Sequence, residues 1–472
     1  MRLVVIGGGI AGLAAAHRAV ELARERSIPL DLTVLEARDR LGGTIETERA
    51  GGFLIEAGPD SFLSEKPWAL ALCRRLGLEP RLVGTDDRFR RTFVWFRGRL
   101  HPLPEGFQLL APTRLRPFLA SRLLSWPGKA RMALDVILPR GAAGDDESLG
   151  AFVRRRLGRE ALERVAQPLV AGIYTADPEE LSLRATMPRF LELERAQRSL
   201  IIGLWRASRG GPAASGTSGA RWSLFVTLSD GMGELVHALA ARLPAGAVHL
   251  KRRVTGVVRR AAAWAVDGGG PTVEADRVIV AVEAHAASRL LRYVDPSLTT
   301  LLQVIPYASS ATVSLGYQRA AIRHPLDGFG FVVPRVEGQA LLACTFSSVK
   351  YPGRAPDGHV LLRCFLGGAL NAGILERDDD ELVRLAGQEL AAALGLVGEP
   401  ILIRVARHPA AMPQYVIGHL RTLEAIDQRL QAAPGLYLAG SAYRGIGIAD
   451  CVRSGEAAAE RALLGDAGRV TQ

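Results

Sequence analysis

The sequence predicts an α/β fold, in which a Rossmann-type dinucleotide-binding domain is interleaved with an α+β substrate domain and a helical basic domain. Three observations predict it. A strand, a glycine turn and a helix open the chain; a short apolar strand and a second glycine turn close it; and two groups of strand-like runs lie between them. At 472 residues the chain is about three times a typical domain of roughly 150 residues, so at least two packed units are expected.

The opening unit is the most specific. Leu3 to Ile6 is a short apolar run, Gly7-Gly8-Gly9-Ile10-Ala11-Gly12 follows, and an Ala-rich helical stretch runs to about Arg26. Leu32 to Leu35 is a second strand that ends in Glu36 and completes a βαβ unit. Gly7, Gly9 and Gly12 fit G-x-G-x-x-G: the first makes the turn, the second lets a pyrophosphate approach, and the third lets helix and strand touch. The Glu36 carboxylate can accept two ribose hydroxyls. Gly231-Met232-Gly233 precedes an apolar helix. Val248 to Val258, Ala263 to Asp267 and Val273 to Ala281 alternate like a small meander returning to the first domain. Phe329 to Pro334, Leu341 to Phe346 and Val360 to Leu366 read as a second sheet that floors a pocket. Leu436 to Gly440 is a strand, and only about two dozen residues follow its glycine turn, too few for another βαβ unit. It therefore belongs to the first sheet.

Charge divides the middle of the chain from the rest. The net charge is +11, and 59 basic residues include only four lysines, Lys66, Lys129, Lys251 and Lys350. From Arg88 to Arg140 eleven basic residues face only Glu105 and Asp135, with Phe93, Trp95, Phe96, Phe107, Phe118 and Trp126 between them. Basic and aromatic residues at helical spacing suit an anionic membrane surface, and arginines also grip ligand carboxylates. Nucleic acid is not expected, since no recognition motif accompanies the charge. Cys73, Cys344, Cys364 and Cys451 show no metal-ligand spacing, so no metal is expected, and they suit a reducing cytoplasm. No run of about 18 apolar residues suggests a membrane span. Leu3 to Ala16 imitates a signal peptide, but its glycines and the following strand argue for a mature fold.

Glu36-Ala37-x-x-Arg40-x-Gly42-Gly43, followed by Thr44, resembles the phosphate-side extension of the amine-oxidase-like flavoproteins, and Glu56-Ala57-Gly58-Pro59-Asp60-Ser61-Phe62 resembles their segment beside the isoalloxazine. With Leu100-His101-Pro102-Leu103-Pro104, Gly172-Ile173-Tyr174, Met412-Pro413-Gln414-Tyr415 and Gly445-Ile446-Gly447-Ile448-Ala449-Asp450-Cys451, nearly the whole chain is similar to the oxygen-dependent porphyrinogen oxidases of haem synthesis. The resemblance implies one non-covalent FAD. Gly7, Gly9, Gly12, Glu36, Arg40, Gly42, Gly43 and Thr44 would hold its ADP half, Val254 the adenine, and Gly58, Gly440, Gly447 and Ile448 the flavin half. Gly172, Val332, Thr345 and Phe365 would wall a tetrapyrrole pocket, with Asp60 as the catalytic carboxylate near the reacting edge. Thr92 stands where some relatives place a propionate-binding arginine, which leaves Lys66, Arg90 and Arg91 as alternatives.

The resemblance further implies oxidation of a porphyrinogen to a porphyrin, with O2 as acceptor and H2O2 as product. Coproporphyrinogen III is the expected substrate, protoporphyrinogen IX the alternative, and an amine the distant one. Expected domains are 1–87, 221–290 and 405–472 for FAD, 88–206 for the helical basic unit, 207–220 for a flexible connector and 291–404 for the substrate sheet. A cytoplasmic enzyme with peripheral contact to an anionic membrane is expected.

Overall fold

The computed structural model describes residues 1–105, 107–108, 111–112, 114–141, 146–209, 223–261 and 263–465. Most of the expected connector, 207–220, therefore lies outside the described residues. A five-stranded parallel sheet carries the N-terminal unit, in the order Val248–His249, Asp31–Leu35, Arg2–Ile6, Arg277–Val280, Leu436–Leu438. Residues on both faces of its central strand are buried, as an apolar run without alternation requires. The C-terminal strand joins this sheet, as expected. The run read as Val273 to Ala281 divides in two: Gly270–Ala275 completes an antiparallel meander with Val254–Arg260 and Ala263–Gly268, while Arg277–Val280 enters the parallel sheet.

Helices Ile10–Glu25 and Ile448–Leu464 pack together against this sheet. Their approach is close enough that a Cβ on Gly455 would stand 2.1 Å from the Ala11 carbonyl oxygen. The Ala-rich sequence of the first helix supplies the flat surface that permits it.

The second sheet has seven strands, in the order Leu402–Pro413, Tyr307–Gln318, His359–Gly367, Leu341–Phe346, Gly330–Val332, Thr92–Phe96, Arg99–Pro102. Its pairing cuts across the expected boundaries at two places. Thr92–Phe96 and Arg99–Pro102 belong to the sheet, not to the helical unit, and Leu402–Pro413 straddles the boundary at 405. The reason is local: Thr92-Phe93-Val94-Trp95-Phe96 is β-branched and aromatic, four of its residues are buried, and the arginines that give the region its charge lie at its ends.

One face of this sheet packs on helix Asp379–Leu394 through Phe93, Phe331, Cys344, Val313 and Leu362. The other meets the helical unit through Val94, Val332, Ala343 and Phe365. That unit is made of short helices, including Leu115–Ala120, Trp126–Ala133, Leu149–Leu157 and Gln167–Tyr174. Its interior holds Arg156, which is wholly buried and donates to Asp135 Oδ1 at 2.6 Å and to the carbonyls of Asp135, Pro139 and Arg198. One guanidinium thus ties three turns together.

Candidate active site

The glycine turn after the first strand is built by close contact. Gly7 has φ +104, and a Cβ on Gly12 would stand 1.9 Å from the Gly7 carbonyl oxygen, so both positions require glycine to close the turn. Gly9 differs: its nearest neighbour would be the Gly43 Cα at 3.9 Å, leaving open space above the helix N-terminus. The loop Arg40 to Thr44 folds over this turn, with Gly42 N–H donating to the Gly8 carbonyl at 2.8 Å. Arg40 donates to the Leu41 and Ile45 carbonyls and to Glu46, and so shapes the loop itself.

Glu36 is buried at the end of the second strand. Its Oε2 accepts from Gly8 N–H at 2.7 Å and its Oε1 from Arg38 N–H at 2.8 Å. This carboxylate, expected to accept two ribose hydroxyls, also fixes the two loops between which a ribose would lie. The Glu36 carbonyl accepts from Arg252 N–H, which brings Val254 to the same end of the sheet.

The second glycine loop is joined to Gly58 by another close approach, since a Cβ on Gly58 would lie 1.7 Å from the Thr44 carbonyl oxygen. From Gly58 the chain turns to Asp60. Asp60 accepts from Ser61 Oγ at 2.7 Å, and Lys350 Nζ stands 3.3 Å from its Oδ2. Burial alone would raise this carboxyl, but the charges of Lys350 and Arg363, with the Ser61 hydrogen bond, hold it down at about 2. Asp60 is an anion at every ordinary pH.

Arg363 was not anticipated. It lies in the central strand His359–Gly367, is 5% exposed, donates to the carbonyls of Ala57 and Gly58, and keeps a buried Nε with no partner among the described residues. Thr312 and His408 reach the same Ala57 carbonyl at 3.0 and 2.9 Å. Burial lowers the pKa of the His408 imidazole, which disfavours its charged form beside Arg363. Two signals were present: a charged residue in an otherwise apolar strand, and, in Lys350, one of only four lysines.

Strand register brings the expected pocket residues together. Thr345 pairs with Arg363, Val332 with Ala343, and Ala343 with Phe365, so these side chains share one sheet face. Gly172, on helix Gln167–Tyr174, points at that face, where a Cβ would meet Val332 at 3.7 Å. Lys66 and Arg91 are placed differently. Lys66 Nζ is bound to Asp450 at 2.5 Å, and exposed Arg91 to Asp327 at 2.8 Å.

The closing turn completes the cleft. Gly440 has φ +127 and nothing within 4 Å of a Cβ position. Tyr415 donates to the Ser441 carbonyl at 2.6 Å and accepts from Gly445 N–H at 2.7 Å, so the Met412-Pro413-Gln414-Tyr415 segment clamps the turn from which Gly447 and Ile448 begin the last helix. His419 stacks on Tyr415 at 4.0 Å. The thiols do not suit covalent attachment. Cys364 points into the sheet core, and burial pushes Cys73 and Cys451 up to about 12. Among the described residues no cluster has metal-ligand composition.

Open cradles above Gly9 and Gly440, the helix N-termini beside them and the unpartnered Arg363 N–H fit a bound dinucleotide whose ring end reaches the second sheet. The fold and this cleft define a flavin-dependent oxidoreductase. The chain belongs to the flavin-containing amine oxidoreductase family, whose pattern matches residues 10–463, and its cofactor is FAD. It is 37% identical to coproporphyrinogen III oxidase of Bacillus subtilis over 98% of this chain and 97% of that protein. It is 33% identical to chloroplast protoporphyrinogen oxidase 1 of Arabidopsis thaliana, over 95% and 85%. A solved structure from Exiguobacterium, assigned as a protoporphyrinogen oxidase, superposes with a TM-score of 0.85 at 31% identity, over 97% of this chain and 98% of that one. Cyclohexylamine oxidase from Brevibacterium oxydans shares the fold, with a TM-score of 0.68 at 18% identity.

Proposed function

We propose that the protein oxidises coproporphyrinogen III to the porphyrin, with O2 as the terminal acceptor. The observation that carries this reading is the match, over nearly the full length of both chains, to the Bacillus coproporphyrinogen III oxidase. The geometry supports it. An apolar sheet face at Val332, Ala343 and Phe365, opposed by Gly172, suits a broad tetrapyrrole, and the anionic Asp60 stands beside it.

FAD, when bound, supplies the hydride acceptor. The chain must place a methylene bridge of the substrate, exclude water and stabilise the charge that develops. Loss of hydride from a bridge leaves a cation spread over neighbouring pyrroles, and the fixed Asp60 carboxylate favours that charge without moving a proton. Arg363 and Lys350 keep Asp60 ionised and aimed. Gly7, Gly9, Gly12, Glu36, Gly42, Gly43 and Thr44 would hold the ADP half, with Val254 at the adenine. Gly58, Gly440, Gly447 and Ile448 would hold the flavin half, while Arg40 supports the loop. Gly172, Val332, Thr345 and Phe365 would form the pocket walls. Lys66 and Arg91 would meet propionates at the rim by exchanging their present carboxylate partners.

Peripheral contact with an anionic membrane is the second part of the reading. Leu115 and Trp126 on the short helices, and Ile137 in the turn that follows them, are each more than 65% exposed, among Arg114, Arg116, Arg122 and Arg140. No helix among the described residues is long and apolar enough to cross a membrane. The activity is tested by stoichiometry: aerobic turnover of coproporphyrinogen III should yield three molecules of peroxide for each porphyrin. Porphyrin formed without peroxide would exclude O2 as the acceptor.

A further inference from the structure

A second concavity lies away from Asp60, at the outer edge of the seven-stranded sheet. It is a cavity of about 350 Å³ between the Thr92–Phe96 and Arg99–Pro102 hairpin and the helical unit. Arg97 and Arg99 reach it from the hairpin, Arg122 from the segment between helices Leu115–Ala120 and Trp126–Ala133, and Arg164 from the helical stretch Leu162–Ala166. His101 lies at its wall, with Nε2 held at 3.1 Å from the Phe96 carbonyl.

The arginines are not all neutralised. Glu160 is engaged by Arg164 and by Ser125, whose N–H and Oγ both donate to it, and Glu337 accepts from the Arg97 N–H. Arg99 and Arg122 have no carboxylate partner among the described residues. Four guanidiniums therefore surround the space against two carboxylates. The Phe96 ring orients two of the cations, with Arg164 at 4.4 Å and Arg97 at 5.2 Å from its centroid. Three separate segments thus converge planar, always-charged donors on one cavity, an arrangement whose like charges repel until an anion enters.

We propose that this cavity is a binding site for a phosphate group. A tetrahedral phosphate presents acceptors in several directions and suits donors arriving from three segments, whereas a carboxylate presents two oxygens in one plane. The site is separate from the flavin cleft, so the inference stands whatever the substrate. The phosphate can belong to a soluble phosphate compound or to a phospholipid headgroup, since exposed Trp126 adjoins Ser125 at the rim.

The test uses the FAD-loaded full chain in phosphate-free buffer of fixed ionic strength. Calorimetric titration should show saturable binding of inorganic phosphate and much weaker binding of acetate. Arg99→Gln with Arg122→Gln should weaken phosphate binding by about tenfold or more, while flavin content and turnover stay unchanged. If that double variant loses its flavin, Arg122→Lys alone replaces it: it keeps the charge but not the fork, and should still bind phosphate several-fold more weakly. Vesicles of phosphatidylglycerol against phosphatidylcholine then identify the source. Retention on phosphatidylglycerol that free phosphate competes away assigns a lipid headgroup, and retention indifferent to phosphate assigns a soluble compound. Equal binding of acetate and phosphate, or phosphate binding unaltered in a folded variant, would overturn the proposal.

Discussion

Asp60 shows how much one residue owes to partners that sequence distance conceals. Its proposed place beside the flavin was read from Gly58-Pro59-Asp60-Ser61, but Lys350 lies 290 residues away and Arg363 further still, and only the fold brings them together. Because its folded pKa is lowered from 3.8 to about 2, Asp60 contributes stability that is complete above about pH 4 and is lost as pH falls through 2. The shift corresponds to roughly 2 kcal/mol. Lys350→Met should raise the Asp60 carboxyl, lower stability at neutral pH by up to about that amount, and add an acid limb to the kcat profile that the unmodified enzyme lacks. Profiles that superpose would remove Lys350 from this role. The glycines make a sharper pair. Gly9→Val meets open space in the protein alone and should fold with near-normal Tm yet carry almost no flavin. Gly12→Val would strike the Gly7 carbonyl and should instead lose several degrees of Tm. Normal flavin content in Gly9→Val would refute the cradle.

At the scale of elements, strands were legible as short apolar runs without helical spacing, as at Leu3 to Ile6 and at Val360 to Leu366, where Arg363 alone interrupts the run. The strand Thr92–Phe96 was hidden by its surroundings: arginines before and after it drew attention to charge, although its own side chains are apolar and sit in the sheet. The helical unit was read as a basic surface, yet its most consequential arginine is interior. Arg156 leaves Asp135 as a buried anion if removed, since Ser199 Oγ and Ile201 N–H would be its remaining donors. Arg156→Ala should therefore destabilise the protein by about 3–5 kcal/mol, and Arg156→Ala with Asp135→Ala should recover part of that loss. Chemical denaturation of the two variants measures both. A loss under about 1 kcal/mol would mean that the three turns hold without this guanidinium.

For the whole molecule, the net charge of +11 was visible from composition, but composition could not distribute it. Many individual basic residues are paired, as Lys66 is with Asp450 and Arg91 with Asp327, while exposed Leu115, Trp126 and Ile137 share the helical surface with arginines. Sedimentation with anionic vesicles should retain the protein at low salt and release it at high salt, and Trp126→Ser should weaken retention. Equal retention on neutral vesicles would mean that the charge plays no part. The choice of substrate also belongs to this scale, because it depends on the apolar sheet face, the anionic Asp60 and the cationic rim together. Coproporphyrinogen III carries four propionates, protoporphyrinogen IX two, and the proposed rim, where Lys66 and Arg91 would exchange their carboxylate partners for propionates, would offer more to the first, each well-formed charged hydrogen bond contributing about 1.5–3 kcal/mol. The most direct measurement is aerobic turnover of both porphyrinogens in competition, followed by the fluorescence of the two porphyrins. The account predicts a higher kcat/KM for coproporphyrinogen III, narrowed by Lys66→Ala or Arg91→Ala; a preference of about tenfold or more for protoporphyrinogen IX would contradict the substrate, and turnover of neither would contradict the function.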